Sequence, residues 1–303
     1  MIYDIIVVGS GPAGLTAAIY ARRADKSVLV IEKETFGGEI THSPKVENYP
    51  GFIEMSGNEF ADKLIDQATN LGAVIEMDNI TDAEKSGDKF VVTGEYGSYE
   101  GRSLIIASGS KHRRLGLDKE EELTGNGISY CAVCDGPFFK GQEVAIIGGG
   151  NSALQEAVML SEYCKKVTVV QDMPFLTGEK KLQEILEKRE NVEIRLGFTV
   201  KALEGDDKLT ALTLESKADG KATSLAVDGA FVAIGQVPEN KAFIKLVELD
   251  ERGYIKSGED TLTKTEGVFA AGDCRTKAIR QIVTATGDGA VAAVAACKFA
   301  ERV

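Results

Sequence analysis

A strand, glycine-turn and helix pattern occurs twice in this chain and constrains its fold more than any other feature. In the first copy the apolar, β-branched run 2–8 leads directly into Gly9, Gly11 and Gly14, and a helical pattern follows over 15–24. Glycines at this spacing permit a tight turn, a close approach of the backbone to a pyrophosphate, and close packing of the helix on the strand. The first copy therefore predicts a dinucleotide at a helix N-terminus.

The residues around this first turn favour FAD over NAD. A second strand over 27–31 ends in Glu32, an acidic side chain placed to bind a ribose hydroxyl. Pro12 and Ala13 follow the second glycine, and a later turn contains Gly38. This combination predicts FAD, because the flavin end of the cofactor must continue across the domain.

Two further segments are predicted to wall the same cofactor. The segment 47–52 contains Asn48 and is either a loop beside the isoalloxazine or an ordinary Pro-Gly turn, and its residues alone do not decide between the two. The segment 103–109 is read as a buried strand that ends in small residues at Gly109. Small residues there allow a close approach of the cofactor.

The C-terminal region is predicted to return to the first domain. A strand over 267–273 ends in Gly272 and Asp273, and Asp273 is placed for the FAD ribityl chain or a phosphate. Arg280, Gln281 and Ile282 then open a helix that runs to the C-terminus. The N-terminal dipole of that helix would point to the flavin.

The second copy of the pattern begins at residue 143. A strand leads into Gly148, Gly150, Asn151 and Ser152, a helix follows to about residue 163, and a second strand covers 166–170. This copy either binds a nicotinamide nucleotide or keeps its glycines only to pack helix on strand. The sequence thus predicts an α/β fold with two Rossmann-like, doubly wound domains, of which the second interrupts the first. The predicted bounds are 1–113 with 240–303 for the FAD domain and 114–239 for the pyridine-nucleotide-like domain.

Two cysteines lie immediately before this second copy. Cys131 and Cys134 are two residues apart, a spacing that closes a short disulfide and lowers the pKa of one thiol. Asp135 follows directly and is the candidate acid for two-electron thiol chemistry. The same spacing also begins zinc sites, but those need two further ligands, and the chain has no second such pair and only 2 histidines. We therefore expect a redox pair and no metal.

Composition excludes several other classes of protein. The length of 303 residues favours two domains, and a formal net charge of -12 argues against nucleic acid or an anionic membrane as partner. No apolar run is expected to span a bilayer, and no basic leader precedes the first apolar stretch. The 5 cysteines fit a reducing compartment with one catalytic pair. These features predict a cytoplasmic enzyme.

In this order the motifs resemble the low-molecular-weight thioredoxin reductases over essentially the whole chain. The resemblance implies a homodimeric flavoprotein in which Cys134 receives electrons from the flavin. It also implies that Cys131 attacks the disulfide of a thioredoxin or thioredoxin-like partner, while Asp135 serves as the acid. The flavin contacts that the resemblance carries over are Gly9, Gly11, Gly14, Glu32, Asn48, Asp273, Arg280 and Gln281.

One segment departs from the NADPH-using members of that family. They carry a His-Arg-Arg-x-x-x-Arg motif after the second strand of the nucleotide domain, whereas residues 171–177 here read Gln-Asp-Met-Pro-Phe-Leu-Thr. Asp172 would repel a 2′-phosphate and can instead accept hydrogen bonds from an unphosphorylated ribose. The departure argues against NADPH and leaves NADH open.

Three redox partners of the flavin are compatible with this departure: NADH or a ferredoxin as electron donor, or oxygen as electron acceptor. The protein would be an NADH-linked thioredoxin reductase, or resemble the ferredoxin-dependent flavin thioredoxin reductases, or resemble the small-molecule dithiol oxidases of this fold that use oxygen. For a ferredoxin, the basic run 111–114 offers a landing site, although it also reads as a solvated linker. An alternative function of another class is a flavin-containing redox sensor that does not turn over. The intact cysteine pair with Asp135 argues against it.

Overall fold

The computed structural model describes residues 1–43 and 45–302, so Val303, the end of the predicted first domain, lies outside the described part. The strand expected over 103–109 is the second half of a longer strand that ends at Ile106, because the chain turns before Gly109. The first elements along the chain are β1 (Ile2–Val8), α1 (Pro12–Arg23), β2 (Val28–Glu32), α2 (Gly57–Asn70), β3 (Val74–Met77), β4 (Ile80–Ser86), β5 (Lys89–Gly94), β6 (Ser98–Ile106) and β7 (Ser110–His112).

The chain then forms a second compact unit and returns to the first. Unit 1 comprises residues 1–111 and 237–303, and unit 2 comprises residues 112–236, so both crossovers come a few residues earlier than the predicted bounds. The elements continue as α3 (Glu120–Leu123), β8 (Ile128–Ser129), α4 (Ala132–Asp135), β9 (Glu143–Ile147), α5 (Asn151–Leu160), β10 (Lys166–Gln171), α6 (Lys180–Glu187), β11 (Val192–Leu196), β12 (Phe198–Glu204), β13 (Ala211–Ser216), β14 (Ala222–Ala226), β15 (Gly229–Val232), β16 (Gln236–Pro238), β17 (Val268–Ala270) and α7 (Ile282–Ala300).

Unit 1 is built on a sheet with the strand order β3-β2-β1-β6-β5-β4, and β17 pairs with β6. Strands β1, β2, β3, β6 and β17 are parallel, while β4 and β5 form an antiparallel ribbon. Ile5 and Val7 of β1 face a core shared with α1 and α7, and Ile6 and Val8 face a second core. Because successive side chains of a strand point to opposite faces, a strand covered on both sides reads as a continuous apolar run.

Unit 2 repeats this arrangement with a parallel sheet of order β11-β10-β9-β15-β8. Val144 and Ile146 of β9 pack towards α5, and Ala145 and Ile147 pack towards the leucines of an antiparallel sheet formed by β12, β13 and β14. The sequence reading did not anticipate that second sheet. The two parallel sheets confirm the predicted α/β class with two Rossmann-like units.

Helix α7 has the length and composition of a membrane-spanning helix but packs in the core of unit 1. It has 19 residues with a mean hydropathy of 1.3, and within the described residues it alone is long and apolar enough to cross a membrane. Its alanines pack against α1 in the unit 1 core, 44% of the apolar window is buried, and the helix contains a buried Asp288. This packing is typical of the core helix of a globular unit.

Candidate active site

The glycine turn of unit 1 has two glycines that the fold requires and one that leaves open space. Gly9 has a φ of 106°, and a Cβ there would collide with the carbonyl oxygen of Ala107. A Cβ on Gly14 would collide with the carbonyl oxygen of Gly9. By contrast, a Cβ on Gly11 would have its nearest neighbour, the Gly37 oxygen, at 3.8 Å. Gly11 precedes α1 without a side-chain cap, so the turn offers backbone N–H groups to an anion.

The carboxylate of Glu32 accepts hydrogen bonds from Ser10 and from the two residues that follow Glu32. One carboxylate oxygen accepts hydrogen bonds from the Ser10 amide at 2.8 Å and the Ser10 hydroxyl at 2.9 Å, and the other accepts from the amides of Lys33 at 2.8 Å and Glu34 at 3.0 Å. A carboxylate has about four acceptor positions, so these donors occupy them all. Glu32 therefore clamps the glycine turn to β2, and a ribose hydroxyl would have to share or replace the Ser10 hydroxyl. The sequence reading missed Ser10.

Asp273 provides a buried acceptor that lacks a donor. Strand β17 ends at Ala270, earlier than predicted, because Gly272, with a φ of 80°, turns the chain into a short 3-10 helix. The Oδ1 atom of Asp273 is buried and has no hydrogen-bond partner among residues 1–43 and 45–302. Burial raises the pKa of this carboxyl to about 6, although Lys277 and Arg280 act to lower it. Such an orphaned acceptor, in the unit that holds the glycine turn, fits a hydroxyl of FAD.

A buried ion pair fixes the turn before Asp273. Asp288 of α7 accepts hydrogen bonds from the Gly272 amide at 2.9 Å, from Arg275 at 2.8 and 2.7 Å, and from Lys277 at 2.9 Å. Burial alone would raise the pKa of Asp288, but the hydrogen bonds from Arg275 and Lys277 lower it. The three side chains are at most 10% exposed. The sequence reading missed this cluster, because a separation of 13 residues carries no pairing signal.

Three more predicted flavin contacts gather at the start of α7. Gln281 is the N-cap residue of α7, and its Oε1 accepts a hydrogen bond of 3.0 Å from Asn48 Nδ2. Arg280 lies over the ring of Tyr254 at 4.1 Å from the centroid, and its Nε donates to the Asp273 carbonyl at 3.4 Å. The other predicted cofactor residues lie in the same unit: Pro12 and Ala13 in the first turn of α1, Gly38 beside Gly11, Gly109 between β6 and β7, and Ile282 at the first position of α7.

The two cysteines of unit 2 form a disulfide around a single helical turn. The Cys131–Cys134 bond joins Cα atoms 5.3 Å apart, which excludes a zinc half-site in this state. Cys131 is the N-cap residue of α4, and the Cys134 amide lies 3.2 Å from the Cys131 sulfur. The same amide would stabilise a thiolate on Cys131 in the dithiol. In the described ranges no group of three or more His, Cys, Asp or Glu side chains is arranged to hold a metal ion.

Asp135 ends α4 and is held by a serine that the sequence reading missed. The Ser129 hydroxyl donates to Asp135 Oδ2 at 2.6 Å and also accepts the Cys131 amide at 3.1 Å. Asp135 Oδ1 is buried and finds no hydrogen-bond partner in the described part of the chain. Burial raises the pKa of Asp135, and the Ser129 hydrogen bond offsets only part of that effect. A carboxyl that retains its proton to higher pH suits the predicted role of acid.

Two further polar side chains lie beside α4, and neither was anticipated. Glu156 of α5 is half-buried, and burial raises its pKa to about 7. The hydroxyl of Tyr163 is buried without a partner among the residues described, and a Cβ on Gly136 would collide with it. In the sequence, Glu156 is one polar residue in a helical pattern. The redox turn is therefore surrounded by groups able to hold a proton.

The second glycine turn has the same backbone requirement as the first. Gly148 has a φ of 131°, and a Cβ there would lie 2.5 Å from the Ala233 carbonyl oxygen. A Cβ on Gly149 would lie 2.7 Å from the side chain of Gln171. Gly150 precedes α5 without a side-chain cap, and Ser152 is exposed in the first turn. The turn is thus shaped as predicted.

Residues 177–179 hydrogen-bond to this second turn, much as the Gly37 amide hydrogen-bonds to the Ser10 carbonyl of the first turn at 3.2 Å. The Gly149 carbonyl accepts hydrogen bonds from the amides of Thr177 and Gly178, both at 2.9 Å, and from the Thr177 hydroxyl at 3.2 Å. Asn151 accepts the Glu179 amide at 2.6 Å and donates to a Glu179 carboxylate oxygen at 3.3 Å. A carboxylate of the chain itself therefore lies at the start of α5, where a nucleotide phosphate would bind.

Three charged residues singled out in the sequence form ion pairs with neighbouring side chains. Asp172 is exposed and lies 2.8 Å from Lys217 Nζ, so it is partly neutralised. In the basic run, Lys111 lies 2.6 Å from Glu34, and Arg114 lies 3.9 Å from Glu121. Exposed pairs contribute about 0–1 kcal/mol, so a strong partner can exchange them. The run is therefore less positive than its sequence suggests.

Comparisons with known proteins agree with this architecture. The family model described as pyridine nucleotide-disulphide oxidoreductase matches residues 3–289. A thioredoxin reductase of Listeria innocua is 44% identical over 303 residues, covering 100% of this chain and 95% of the relative. A protein of Clostridium pasteurianum, described as a 34.2 kDa protein in the rubredoxin operon, is 40% identical over 98% of this chain and 96% of its own length. The solved thioredoxin reductase of Streptococcus pyogenes has a TM-score of 0.95 and 38% identity, covering 100% of this chain and 99% of that one.

Proposed function

This chain belongs to the thioredoxin reductase family of pyridine nucleotide-disulphide oxidoreductases, and from that premise we propose that it reduces thioredoxin with electrons from a ferredoxin-type protein rather than from NADPH. It is an oxidoreductase of a FAD-dependent family. The observation that carries the choice of donor is the second glycine turn. Residues 171–177, which contact that turn through Gln171 and Thr177, contain no arginine, and the Glu179 carboxylate lies at the start of the helix that follows it.

The residues of unit 1 would hold the cofactor. When bound, FAD would supply the exchange of electrons between a donor and the disulfide. The glycine turn at Gly9 and Gly11 would receive the pyrophosphate, and Asp273 Oδ1 would accept a hydrogen bond from a ribityl hydroxyl. Asp288 would keep Asp273 in place through the Gly272 amide.

The residues of unit 2 would carry out thiol exchange. Two electrons and two protons convert the Cys131–Cys134 disulfide into two thiols. The Cys131 thiolate attacks one sulfur of the thioredoxin disulfide, whose bond breaks as a mixed disulfide forms, and Asp135 provides the proton for the leaving sulfur. Cys134 then attacks the Cys131 sulfur, which releases dithiol thioredoxin and restores the enzyme disulfide.

The charges near the second turn support a donor other than NADPH. Residues 171–177 contain no basic side chain, and both Asp172 and Glu179 carry a carboxylate where a phosphorylated nucleotide would bring more negative charge. Lys217 is committed to Asp172 at 2.8 Å. The relative from the rubredoxin operon also supports a small redox protein as donor.

NADH is the second candidate, and the position of Asp172 favours it. This residue directly follows β10 and is exposed, so a ribose hydroxyl can reach it once Lys217 moves aside. NADH lacks the 2′-phosphate that Asp172 would repel. The Glu179 carboxylate at the start of α5 would still repel the pyrophosphate of NADH, which is why we rank NADH below a protein donor.

We also propose a cytoplasmic, homodimeric enzyme, as the resemblance implies. Cys164, Cys274 and Cys297 are buried thiols and are not paired with one another, which suits a reducing compartment. Sedimentation of the FAD-loaded protein tests the dimer.

The function is tested by following thiol formation on oxidised thioredoxin without oxygen. Reduced ferredoxin, NADH and NADPH are supplied in parallel to the wild type and to Cys131→Ser and Cys134→Ser. We expect thiols with ferredoxin alone, and none with either variant. Full reduction by both variants would contradict the assignment. Oxygen consumption with a small dithiol, and no thiol on thioredoxin, would instead indicate a dithiol oxidase.

A further inference from the structure

We propose that Ser129 is a positioning residue for thiol exchange, which ties Asp135 to the backbone of Cys131 and so holds the acid where the leaving sulfur takes its proton. Ser129 is itself buried and acts through Asp135. The inference deepens the proposed function and rests on it, since it concerns the proton that the leaving sulfur of thioredoxin would receive.

Ser129 is fixed by the sheet of unit 2, whereas the redox turn is short. It is the last residue of β8, lies opposite Phe231 in the parallel pairing of β8 with β15, and is 4% exposed. Helix α4, which carries Cys134 and Asp135, has only 4 residues. A single helical turn closes few hydrogen bonds of its own, so its geometry depends on contacts with neighbouring residues. Ser129 provides such a contact from the sheet.

The serine hydroxyl bonds to both ends of the redox turn at once. It donates its hydrogen to Asp135 Oδ2 at 2.6 Å, and its oxygen accepts the Cys131 amide at 3.1 Å. The carbonyl of Cys131 lies 3.5 Å from the same oxygen and is a much poorer acceptor at that distance. A hydroxyl has one hydrogen to donate, so Ser129 gives it to the carboxyl. It thereby fixes the Asp135 carboxyl relative to the Cys131 backbone.

The other oxygen of Asp135 makes the carboxyl depend on Ser129. Oδ1 is buried and has no hydrogen-bond partner within residues 1–43 and 45–302. Burial raises the pKa of Asp135, and the hydrogen bond from Ser129 works against that increase. The bond acts in this direction because a hydroxyl bonds an ionised carboxylate more strongly than a neutral acid. The two effects together leave Asp135 able to lose and regain a proton in each cycle.

Other titratable groups lie on the elements around α4. Helix α5, which packs on α4, carries Glu156, which is half-buried and has a pKa raised by burial to about 7. Beyond α5, burial raises the pKa of Tyr163 to about 12. After β8, Tyr130 donates to Glu120 at 2.7 Å. Residues 136–139 and β15 carry no titratable side chain. Glu156 could therefore titrate in the same pH range as Asp135, and a test has to separate the two.

The test compares two small disulfides that differ in the thiol they release. The FAD-loaded enzyme is reduced with a chemical dithiol without oxygen, the excess is removed, and oxidation of Cys131 is followed against pH by acid quenching and mass spectrometry. In both reactions the Cys131 thiolate attacks one sulfur and the reagent disulfide breaks, after which Cys134 closes the enzyme disulfide and releases the second thiol. Hydroxyethyl disulfide releases a thiol of high pKa, which needs a proton from an acid, whereas dithiobis(nitrobenzoate) releases a stable thiolate. A change in the Cys131 thiolate, including any effect of Glu156 on it, alters both rates together.

We expect the loss of Ser129 to affect one reaction selectively. In the wild type the rate with hydroxyethyl disulfide should fall at alkaline pH as Asp135 loses its proton, and the rate with dithiobis(nitrobenzoate) should not. In Ser129→Ala the rate with hydroxyethyl disulfide should decrease by about 3-fold to 10-fold, because the acid is no longer held, and its alkaline limb should move up by about 0.5–1 pH unit. The rate with dithiobis(nitrobenzoate) should change by less than about 2-fold, because the Cys134 amide remains beside the Cys131 sulfur.

A matched control separates the contact from the general effect of losing a buried hydroxyl. Ser161 of the same unit is 5% exposed, and its hydroxyl donates to the Val158 carbonyl at 2.7 Å. Both profiles of Ser161→Ala should overlay those of the wild type. Ser129→Thr keeps a hydroxyl and should restore the rate and the alkaline limb. A Ser129→Ala protein that overlays the wild type, or that loses rate equally with both disulfides, overturns the inference.

A second measurement applies if Ser129→Ala does not fold. The infrared band of the protonated Asp135 carboxyl is obtained as the difference between the wild type and Asp135→Asn. We expect the frequency of a hydrogen-bonded carboxyl, because Ser129 lies 2.6 Å from Oδ2. The frequency of a carboxyl free of hydrogen bonds would overturn the inference.

The outcome is independent of the proposed function, because these measurements need neither donor nor thioredoxin. An enzyme that reduces no thioredoxin but shows the selective loss in Ser129→Ala contradicts only the proposed function. An enzyme that reduces thioredoxin but lacks the selective loss contradicts only the role of Ser129.

Discussion

The two glycine-rich turns have the same backbone and different surroundings. Gly9 and Gly148 have φ values of 106° and 131°, and each lies against a carbonyl oxygen of a neighbouring strand segment, that of Ala107 or Ala233. Gly11 and Gly150 are equally open, since a Cβ on either would have its nearest neighbour at 3.8 Å. In unit 1 a buried acceptor without a donor, Asp273 Oδ1, belongs to the same unit as the turn. In unit 2 the Glu179 carboxylate lies 3.3 Å from the Asn151 side chain at the start of α5.

The comparison shows that the glycines of such a turn are required to pack a helix on a strand. Whether the turn binds a ligand depends on the residues around it. The first turn fits FAD because a buried acceptor without a donor accompanies it in unit 1, whereas a carboxylate of the chain lies at the helix start that follows the second turn. The second retains its glycines because a Cβ would displace the strand-to-helix connection. We therefore interpret unit 2 as a carrier of the redox disulfide.

The largest expected effect comes from removing the anion that holds the Asp273 turn. Asp288→Ala leaves Arg275 and Lys277 as buried cations without their partner, and breaking a buried pair costs about 3–5 kcal/mol. We expect this loss of unfolding free energy in urea denaturation, together with loss of FAD on gel filtration. Asp62→Ala, on the exposed face of α2, is the control and should change neither. Retained stability and FAD would refute the role of the buried pair.

Alanine at the two turns separates folding from cofactor binding. Gly9→Ala and Gly148→Ala both introduce a Cβ at a positive φ against a carbonyl oxygen, so each should cost about 2–4 kcal/mol of unfolding free energy. Only Gly9→Ala should also lose FAD, measured as flavin absorbance per protein. If the Gly148→Ala protein binds FAD but loses activity with every donor, the second turn has a role in electron transfer. That result would contradict the proposed difference between the two turns.

Asp273 should make the FAD-free protein pH-sensitive. Its carboxyl keeps a proton to about pH 6 when folded but only to its ordinary pKa of 3.8 when unfolded, so stability should fall as pH rises through that interval. Asp273→Asn removes this cost and should stabilise the FAD-free protein by about 3 kcal/mol at pH 8, with no difference below about pH 3. Denaturation curves at the two pH values measure it.

The same variant should bind FAD more weakly at pH 8, since an amide is a poorer acceptor for a hydroxyl than a carboxylate. Tighter FAD binding by Asp273→Asn would show that Asp273 does not contact the cofactor.

The smallest expected effect comes from restoring basic residues in unit 2. Asp172→Arg, alone or with Met173→Arg, supplies a cation for a 2′-phosphate, but the Glu179 carboxylate still lies at the start of α5. We expect less than about a 3-fold change in flavin reduction by NADPH, because no phosphate site opens. A large gain with NADPH, and none in the matched Lys217→Arg variant, would mean that unit 2 binds a nucleotide after all.

The sequence predicted the fold and the residues of the first turn because local spacing specifies them. The runs before Gly9 and Gly148 and the pair at Cys131 and Cys134 carry their information within about ten residues. The Ser10 clamp on Glu32 involves atoms brought together by adjacent strands, and no spacing reveals it.

The features that the sequence did not predict depend on contacts between residues that are not neighbours in the chain. The Arg275–Asp288 pair and the pairing of Lys111 with Glu34 join residues that are not neighbours in the chain. The small apolar residues of α7 meet the same hydropathy test as a membrane helix, and only the packing of the helix on α1 shows that they belong to a core. Such features depend on which faces meet, and periodicity alone does not determine that.

The most direct test of the proposed donor is anaerobic bleaching of the oxidised flavin absorbance after mixing with NADH, NADPH or reduced ferredoxin. We predict rapid bleaching by reduced ferredoxin and bleaching slower by about 100-fold or more with either nucleotide, because the Glu179 carboxylate lies at the helix start where a nucleotide phosphate would bind. Rapid bleaching by NADH alone would contradict this account. It would establish a nicotinamide enzyme in which the second glycine turn binds the nucleotide.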